Sequence, residues 1–250
     1  MNYTFSIITA TFNSASTIRD CLDSVKNQQA NVEHIIIDGG SNDNVLDIVD
    51  SYPHVAKVVS EPDHGIYDAM NKGISFASGE IIGILNSDDY YADSEVLAKV
   101  VEVFSNKEVD SCYGDLVYVD SVKTSKIIRK WKSGVYKERS FYWGWMPPHP
   151  TFFVRRSVYQ KYGLFNLDLG SAADYELMLR FLLKNKITTS YIPSILVKMR
   201  AGGVSNASLT NRLNANNMDR KAWEVNGLNP YPWTTYVKPL RKIGQFFVFS

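Results

Sequence analysis

Four short polar segments in the N-terminal third carry side chains suited to binding phosphates and hard cations. They are Thr9-Ala10-Thr11-Phe12-Asn13, Asp38-Gly39-Gly40-Ser41-Asn42-Asp43, Glu61-Pro62-Asp63-His64-Gly65 and Asn86-Ser87-Asp88-Asp89, and each follows a short apolar run. A single acidic turn after a strand is ordinarily a helix cap, and Asp88-Asp89 has that reading available for a helix beginning near Ser94. Two adjacent acids repel, however, and a turn needs only one cap. The pair is better suited to Mg2+ or Mn2+, which take oxygen ligands and bridge a protein carboxylate to the phosphates of a substrate.

The runs between these segments show what must position them. Residues 5–8, 34–37, 56–60 and 81–85 read as buried strands, and 17–28, 45–52 and 66–77 as helices, the first with Ile18, Leu22 and Val25 on one face. Continuous β-branched strands alternating with helices predict an α/β fold with a mainly parallel sheet covered on both faces. Ligands of such sheets bind beyond the carboxyl ends of the strands, where all four polar segments fall. The second half is less regular. Antiparallel strands are expected at 111–119 and 127–131, then an aromatic loop at 141–148, a strand at 151–154 and a short helix at 157–162. An amphipathic helix at 173–186 and two short strands around 189–192 and 195–199 complete it.

The 250 residues hold 27 Lys and Arg against 26 Asp and Glu, a formal net charge of +1. That balance excludes a fold-wide basic field for nucleic acid, and 13% aromatic residues supply the core that a disordered chain lacks. Cys21, Cys112 and four scattered histidines form no zinc-site spacing, and two lone thiols fit a reducing compartment. The start MNYTFSIITATFN has no basic n-region, and no apolar run reaches the ~18 residues of a spanning helix, so a cytoplasmic protein is expected. The first strand–helix junction lacks GxGxxG, and neither the Gly-Lys of a P-loop nor a GxSxG elbow occurs.

SIITATFN, IIIDGGSND, SEPDHGIYDAMNKGI, GEIIGILNSDD and SAADYELMLR, in this order and spacing, resemble the family 2 glycosyltransferases, which have the GT-A fold; the likeness is greatest to bacterial enzymes of surface-polysaccharide assembly and spans roughly residues 3–205. The resemblance implies an inverting transfer of a sugar from a nucleotide-sugar donor, with UDP expected, to a glycan or lipid-linked acceptor, with Mn2+ or Mg2+ as cofactor. By position it implies that Ala10 and Phe12 lie at the nucleotide, Phe12 replacing a Tyr that flanks the base, and that Asp38 bonds the uracil. Asn86, Ser87 and Asp88 fall on the family's Asp-x-Asp motif, with Asp89 next. The amide at its first position is a departure that leaves the metal to Asp88 and Asp89. No His follows His149 to complete a metal site.

The same resemblance places Asp68, Asn71 and Lys72 in a family pattern, with Lys72 near the diphosphate, a solvated helix face being the alternative. It makes Asp174 the general base that takes the acceptor's proton, a helix cap being the alternative. Glu176 is a fallback base or a structural residue, while Trp145 and His149 border the acceptor and Arg200, in the segment leading into AGGVS, the donor. A core role for the tryptophans of the loop is the alternative. Independently of the resemblance, a carboxylate at a glycine-flexed strand end can accept an imide N–H, favouring uracil or thymine, unless it binds its own turn.

Residues 1–226 are expected to form the GT-A domain, divided into a nucleotide-sugar half (1–110) and an acceptor half (111–226), with an amphipathic tail at 227–250. No acid follows Glu224; Leu240, Ile243 and Phe247 share one helical side, with Lys238, Arg241 and Lys242 largely elsewhere. That pattern suits reversible contact with the inner face of the plasma membrane, docking on the protein itself or a second subunit being the alternative. A non-catalytic sugar-nucleotide or glycan-binding subunit of the same fold is the rival functional reading. The sequence assigns no oligomeric state.

Overall fold

Val- and Ile-rich runs form strands here because β-branched side chains fit a pleated surface buried on both faces. In the computed structural model, which describes residues 4–202 and 209–245, they become β1 (Thr4–Thr11), β2 (Asn31–Asp38), β3 (Val55–Ser60) and β4 (Ile81–Ile84). The spatial order is β3-β2-β1-β4 and every pairing is parallel. The crossovers are α1 (Ile18–Lys26), α2 (Val45–Asp50) and α3 (Ile66–Phe76). The alternation of strand side chains separates two layers. Ile8, Ala10, Ile35 and Ile37 pack with Ala69, Met70 and Ile74 of α3, whereas Phe5 and Ile7 pack with Cys21 and Val25 of α1. A Cβ at Gly73 would stand 2.3 Å from Ile8 Cγ2, so glycine is what lets α3 lie this close to β1.

The sheet continues into the second half without a break. After β5 (Tyr90–Tyr91) and α4 (Val96–Phe104) come β6 (Ser111–Val119), β7 (Ile127–Trp131), β8 (Phe153–Arg155) and β9 (Thr189–Arg200). β8 lies antiparallel between β4 and β6, which restores the direction of β1 in β6 and in its parallel neighbour β9. The mainly parallel α/β sheet expected from the sequence is therefore present, eight strands in a row with β7 paired to β6 beside them. α5 (Arg156–Tyr162), α6 (Ala173–Met178), α7 (Leu209–Val225) and α8 (Thr234–Gly244) cover it.

Three local expectations differ. The helix expected over 173–186 is α6 followed by a π-helical stretch, Leu179–Lys184. The strand expected at 151–154 begins only at Phe153, after a 3-10 turn at His149–Thr151. The two short strands expected at 189–199 are one, β9, because the register shifts between Tyr113–Tyr191 and Asp115–Ile195 and so passes Pro193, which has no N–H for the ladder.

The tail helix docks on its own domain. Thr234 Oγ1 donates to Tyr142 O at 2.8 Å, and a Cβ at Gly144 would be 2.5 Å from Lys238 N. Lys238, expected on the outward basic side, instead turns inward to both carboxylate oxygens of Asp219 at 2.8 Å and lies over the Tyr175 ring at 3.6 Å. Phe247, the Ile243 and Lys242 side chains, and Gly203-Val204-Ser205 of the AGGVS segment lie outside the described residues. Among the described residues no helix is long and apolar enough to cross a membrane, and Cys21 and Cys112 are buried free thiols.

His34 sits fully buried in β2, with Nε2 3.0 Å from Thr9 Oγ1 and Nδ1 3.2 Å from His54 Nε2. Burial, helped by His54, pushes its pKa down to about 3 from 6.5. The unfolded chain therefore binds a proton below pH 6.5 that the folded chain refuses, so stability falls as the pH drops from that value toward 3. From pH 7 to pH 5 this one group should remove about 2 kcal/mol from urea-unfolding stability. His34→Gln should lose that part of the pH dependence, and an unchanged slope in the variant would rule His34 out as its source.

Candidate active site

Because β1, β2 and β3 pair in parallel register, Thr11, Asp38 and Ser60 end side by side. Asp38 is fully buried, and its carboxylate accepts Gly40 N–H at 3.2 Å, Ser41 N–H at 3.1 Å, the Ser60 hydroxyl at 2.6 Å and the Ser41 hydroxyl. A buried carboxylate needs donors of this kind, and Asp38 takes them from its own turn and from the end of β3. These are the turn contacts of the alternative reading of Asp38. Ser41 Oγ also accepts Asn13 N–H at 2.8 Å, and Asn13 Oδ1 accepts Asn42 N–H at 2.9 Å, which joins the loops after β1 and β2. Between them Phe12 is 61% exposed, a flat apolar ring at the mouth of the crevice, whereas Ala10 packs in the core beneath.

The acidic turn after β4 closes through Asp89 N–H donating to Asn86 O at 3.0 Å. Ser87 and Asp89 are buried and Asp88 is half-buried. Burial raises the pKa of Asp88, and that of Asp89 lies well above the usual carboxylate range through burial and the adjacent Asp88 charge. Asn86 Nδ2 donates to Asp89 Oδ2 at 3.3 Å, while Asn86 Oδ1 and Asp89 Oδ1 are buried without a hydrogen-bond partner. Arg200, expected beside the donor sugar, is 8% exposed and braces this turn, donating to Asp88 O at 2.7 Å and to the Asp20 carboxylate of α1. Among the described residues no three His, Cys, Asp or Glu side chains form a metal cluster.

Asp174 enters in the first turn of α6, half-buried, with Oδ1 accepting Tyr175 N–H at 2.7 Å. The segment ahead of it is clamped by α3: Asn71 Nδ2 donates to Phe165 O and Asn71 Oδ1 accepts Phe165 N–H, both at 2.9 Å. One turn earlier on α3, burial and the nearby Asp174 charge hold the Tyr67 pKa well above its usual value, so the hydroxyl keeps its proton. His149 packs edge-on against Phe165 at 5.5 Å near Asp174, and burial lowers its pKa against the opposing pull of that carboxylate. Tyr118 of β6 experiences the charges of both Asp89 and Asp174, and the Arg129 guanidinium of β7 stacks 3.8 Å above its ring. Tyr118 thus stands near enough to both the acidic turn and Asp174 to feel their charges.

Several expected residues stand elsewhere. Trp145 is a core residue: its Nε1 donates to Ser133 O at 2.7 Å and its ring stacks on Tyr136. Glu176 is buried with both oxygens bonded to Arg180 at 2.9 Å, so it faces away from the crevice. Lys72 Nζ lies 2.9 Å from Glu61 Oε1 and donates to Pro62 O at 3.0 Å, while Asp68 accepts His64 N–H at 3.0 Å. Both residues thus fold the 61–65 loop. Tyr67, Tyr118 and Arg129 were missed by sequence reasoning. Tyr67 lies inside a motif already singled out, whereas Tyr118 and Arg129 sit in ordinary strand sequence with no local signal.

The sequence pattern of Glycosyl transferase family 2 matches residues 6–163. The chain belongs to this family. An uncharacterized glycosyltransferase of Mycobacterium tuberculosis is 37% identical over 187 residues, covering 71% of this chain and 68% of its own. The fold is shared with S. aureus TarS solved with UDP-GlcNAc, at a TM-score of 0.70 and 20% identity over 99% of this chain and 73% of that one. It is shared too with a mannosyltransferase of Pyrobaculum calidifontis solved with GDP-Man and Mn2+, at a TM-score of 0.67 and 16% identity, covering 100% of this chain and 77% of that one. This glycosyltransferase thus has the GT-A fold, with its polar strand ends on the edge where such sheets bind ligands.

Asn71→Ala would leave the Phe165 N–H and C=O without their clamp. Urea unfolding should register a loss of about 2 kcal/mol; a loss below about 0.5 kcal/mol, the scatter of neutral surface changes, would mean that the clamp holds nothing.

Proposed function

We propose that this glycosyltransferase moves a sugar from a UDP-sugar to a hydroxyl of a glycan or lipid-linked saccharide, with inversion, in bacterial surface-polysaccharide synthesis. The observation that carries the reading is the pair of buried oxygens without hydrogen-bond partners, Asn86 Oδ1 and Asp89 Oδ1, in the turn after β4. That turn suits a diphosphate and a cation, and Asp174 in the first turn of α6 suits a proton acceptor. The neighbouring acid Glu176 is withdrawn into an ion pair with Arg180, which leaves Asp174 without a second carboxylate on its helix turn. One base without a carboxylate nucleophile supports a single displacement, hence inversion.

In that displacement Asp174 accepts the proton of the acceptor hydroxyl as its oxygen bonds to the anomeric carbon. The bond from that carbon to the diphosphate oxygen breaks on the opposite face, and the nucleoside diphosphate leaves. Tyr67, its protonated hydroxyl beside Asp174, fixes the carboxylate's orientation. His149, held neutral by burial, borders the acceptor side. The oxygens of Asp88, Asn86 and Asp89, two of them buried and unpartnered, fit a hard cation, with Asp88 the most accessible ligand. Mn2+ or Mg2+, when bound there, supplies charge neutralisation for the departing diphosphate.

The crevice is tested by thermal unfolding with UDP, GDP, CDP and ADP, each with and without Mn2+. UDP at ~100 times its dissociation constant should add roughly 2.7 kcal/mol, and more with Mn2+. Asp174→Asn should keep that stabilisation and lose turnover by about a thousandfold. Stabilisation without turnover on any UDP-sugar would instead support the binding-subunit reading.

The outer face of α8 supports a reversible contact with an anionic membrane surface as part of the same proposal. Trp233, Tyr236 and Leu240 are exposed, Trp143 lies 6.2 Å from Trp233, and Lys137, Arg139 and Arg241 line an adjacent cleft of about 500 Å³. Apolar rings flanked by cations match an interface of acyl chains and anionic headgroups. The full chain should sediment with vesicles containing phosphatidylglycerol and not with pure phosphatidylcholine. Binding that survives Trp233→Glu together with Leu240→Glu would move the contact elsewhere.

A further inference from the structure

Arg200 brings a guanidinium to the acidic turn and forms an ion pair with neither of its carboxylates. Its backbone is fixed at the end of β9, where it stands opposite Val119 of β6 and Ala201 N–H donates to Val119 O at 2.9 Å. The side chain is almost wholly buried. Its Nη1 donates to the main-chain oxygen of Asp88 at 2.7 Å, its Nη2 to the carboxylate of Asp20, and its Cζ lies 5.3 Å from the centre of the Tyr90 ring. Among the described residues, the ion pair it makes is the one with Asp20.

This choice of partner runs against the local chemistry. A guanidinium withdrawn from water needs a carboxylate, and its planar fork matches one through two parallel bonds. Asp88 and Asp89 put two carboxylates on the very turn that Arg200 touches, and Asp89 Oδ1 is buried without a hydrogen-bond partner. The carboxylate that takes Arg200 comes instead from the first turn of α1, where the Asp20 side chain is 54% exposed. Other bonds anchor that helix beside the turn. Ser24 Oγ accepts Tyr91 N–H at 3.1 Å, while Gln28 donates to Asp93 O at 2.8 Å and accepts Leu97 N–H at 3.0 Å. The position of Asp20 is therefore set independently of Arg200.

We infer that Asp20 is a positioning residue for the cation site: by taking the guanidinium of Arg200, it keeps the carboxylates of Asp88 and Asp89 open to Mn2+ or Mg2+. The inference rests on the cation reading above. Without Asp20, the guanidinium keeps its bond to Asp88 O and has two carboxylates of the same turn within its neighbourhood. Pairing with them places a fixed positive charge where a divalent cation must sit, and like charges repel strongly where water is largely excluded. Diverting a charge and merely bracing a turn predict opposite results when Arg200 itself is removed. A brace that is lost weakens the site, whereas a competing charge that is lost frees it.

Binding of Mn2+ alone, followed by loss of the free ion's paramagnetic resonance signal, separates the two. The chains compared are wild type, Asp20→Asn, Asp20→Glu, Arg200→Gln and the double variant Asp20→Asn/Arg200→Gln. Asp20→Asn should weaken Mn2+ binding at least tenfold, about 1.4 kcal/mol, and Asp20→Glu, which keeps the ion pair, should bind as wild type does. Removing the guanidinium should restore the site, so that the double variant and Arg200→Gln both bind Mn2+ at least as tightly as wild type. An Asp20→Asn chain with wild-type affinity, or a double variant as weak as Asp20→Asn, would overturn the inference. Should Asp20→Asn fail to fold, Arg200→Gln decides alone, since weaker binding in that variant assigns the pair to bracing. A wild-type chain that leaves the Mn2+ signal unchanged would instead remove the cation reading itself, and that result appears before any substitution is made.

Discussion

At the point where three parallel strands end, Asp38 places a carboxylate with no exposure to solvent. A buried carboxylate without partners is expensive enough to unmake a marginally stable fold, so its donors are obligatory. They come from the turn after β2 and from Ser60 at the end of β3. Ser41, which donates one of these bonds, accepts in turn from Asn13 after β1. The constraint thus passes through three loops, and the ring of Phe12 is exposed because the backbone on either side of it is held.

A second unfavourable burial shapes the other end of the crevice. Asp88 and Asp89 are adjacent and largely withdrawn from water, and the Arg200 side chain braces their turn by bonding a main-chain carbonyl and the distant Asp20. Its charge favours both carboxylates without outweighing their burial. Asp89 Oδ1 and Asn86 Oδ1 remain buried acceptors without donors. Unsatisfied buried oxygens are rare in proteins and cluster where an ion or ligand completes them. The Asn at the first position of the motif keeps one oxygen for that purpose while adding no further charge.

The parallel half is legible in the sequence because its signals are local. Phe5 to Ile8 and His34 to Ile37 are runs of apolar residues whose pleat alternates between two helical layers, and the polar segments lie where the runs stop. The second half depends on contacts far apart in the chain. Arg180 stands four residues after Glu176, a pairing the sequence shows, but nothing near Glu176 shows that Asn226 will reach it from 50 residues away. Nor does the aromatic loop reveal that Trp145 will be enclosed by Tyr113, Tyr136 and Phe141 while Trp143, two residues earlier, stays exposed. A motif fixes which residues are neighbours along the chain. Asp38 and Ser60 are 22 positions apart, and only the pairing of β2 with β3 brings the hydroxyl to the carboxylate.

α3 links the two ends. Positions four apart lie on one face of a helix, and adjacent positions are rotated by about 100°. Asp68 and Lys72 form one such pair and hold the 61–65 loop; Tyr67 and Asn71 form the next and hold Asp174 and the segment leading to it. A single rigid turn therefore sets the distance between the 61–65 loop and the Asp174 carboxylate. Its depth is fixed independently by Gly73 against Ile8, where an added methyl would push the helix off the sheet. Shifting α3 by any route must move both faces together, so the register of one helix on β1 determines how the 61–65 loop and Asp174 are spaced.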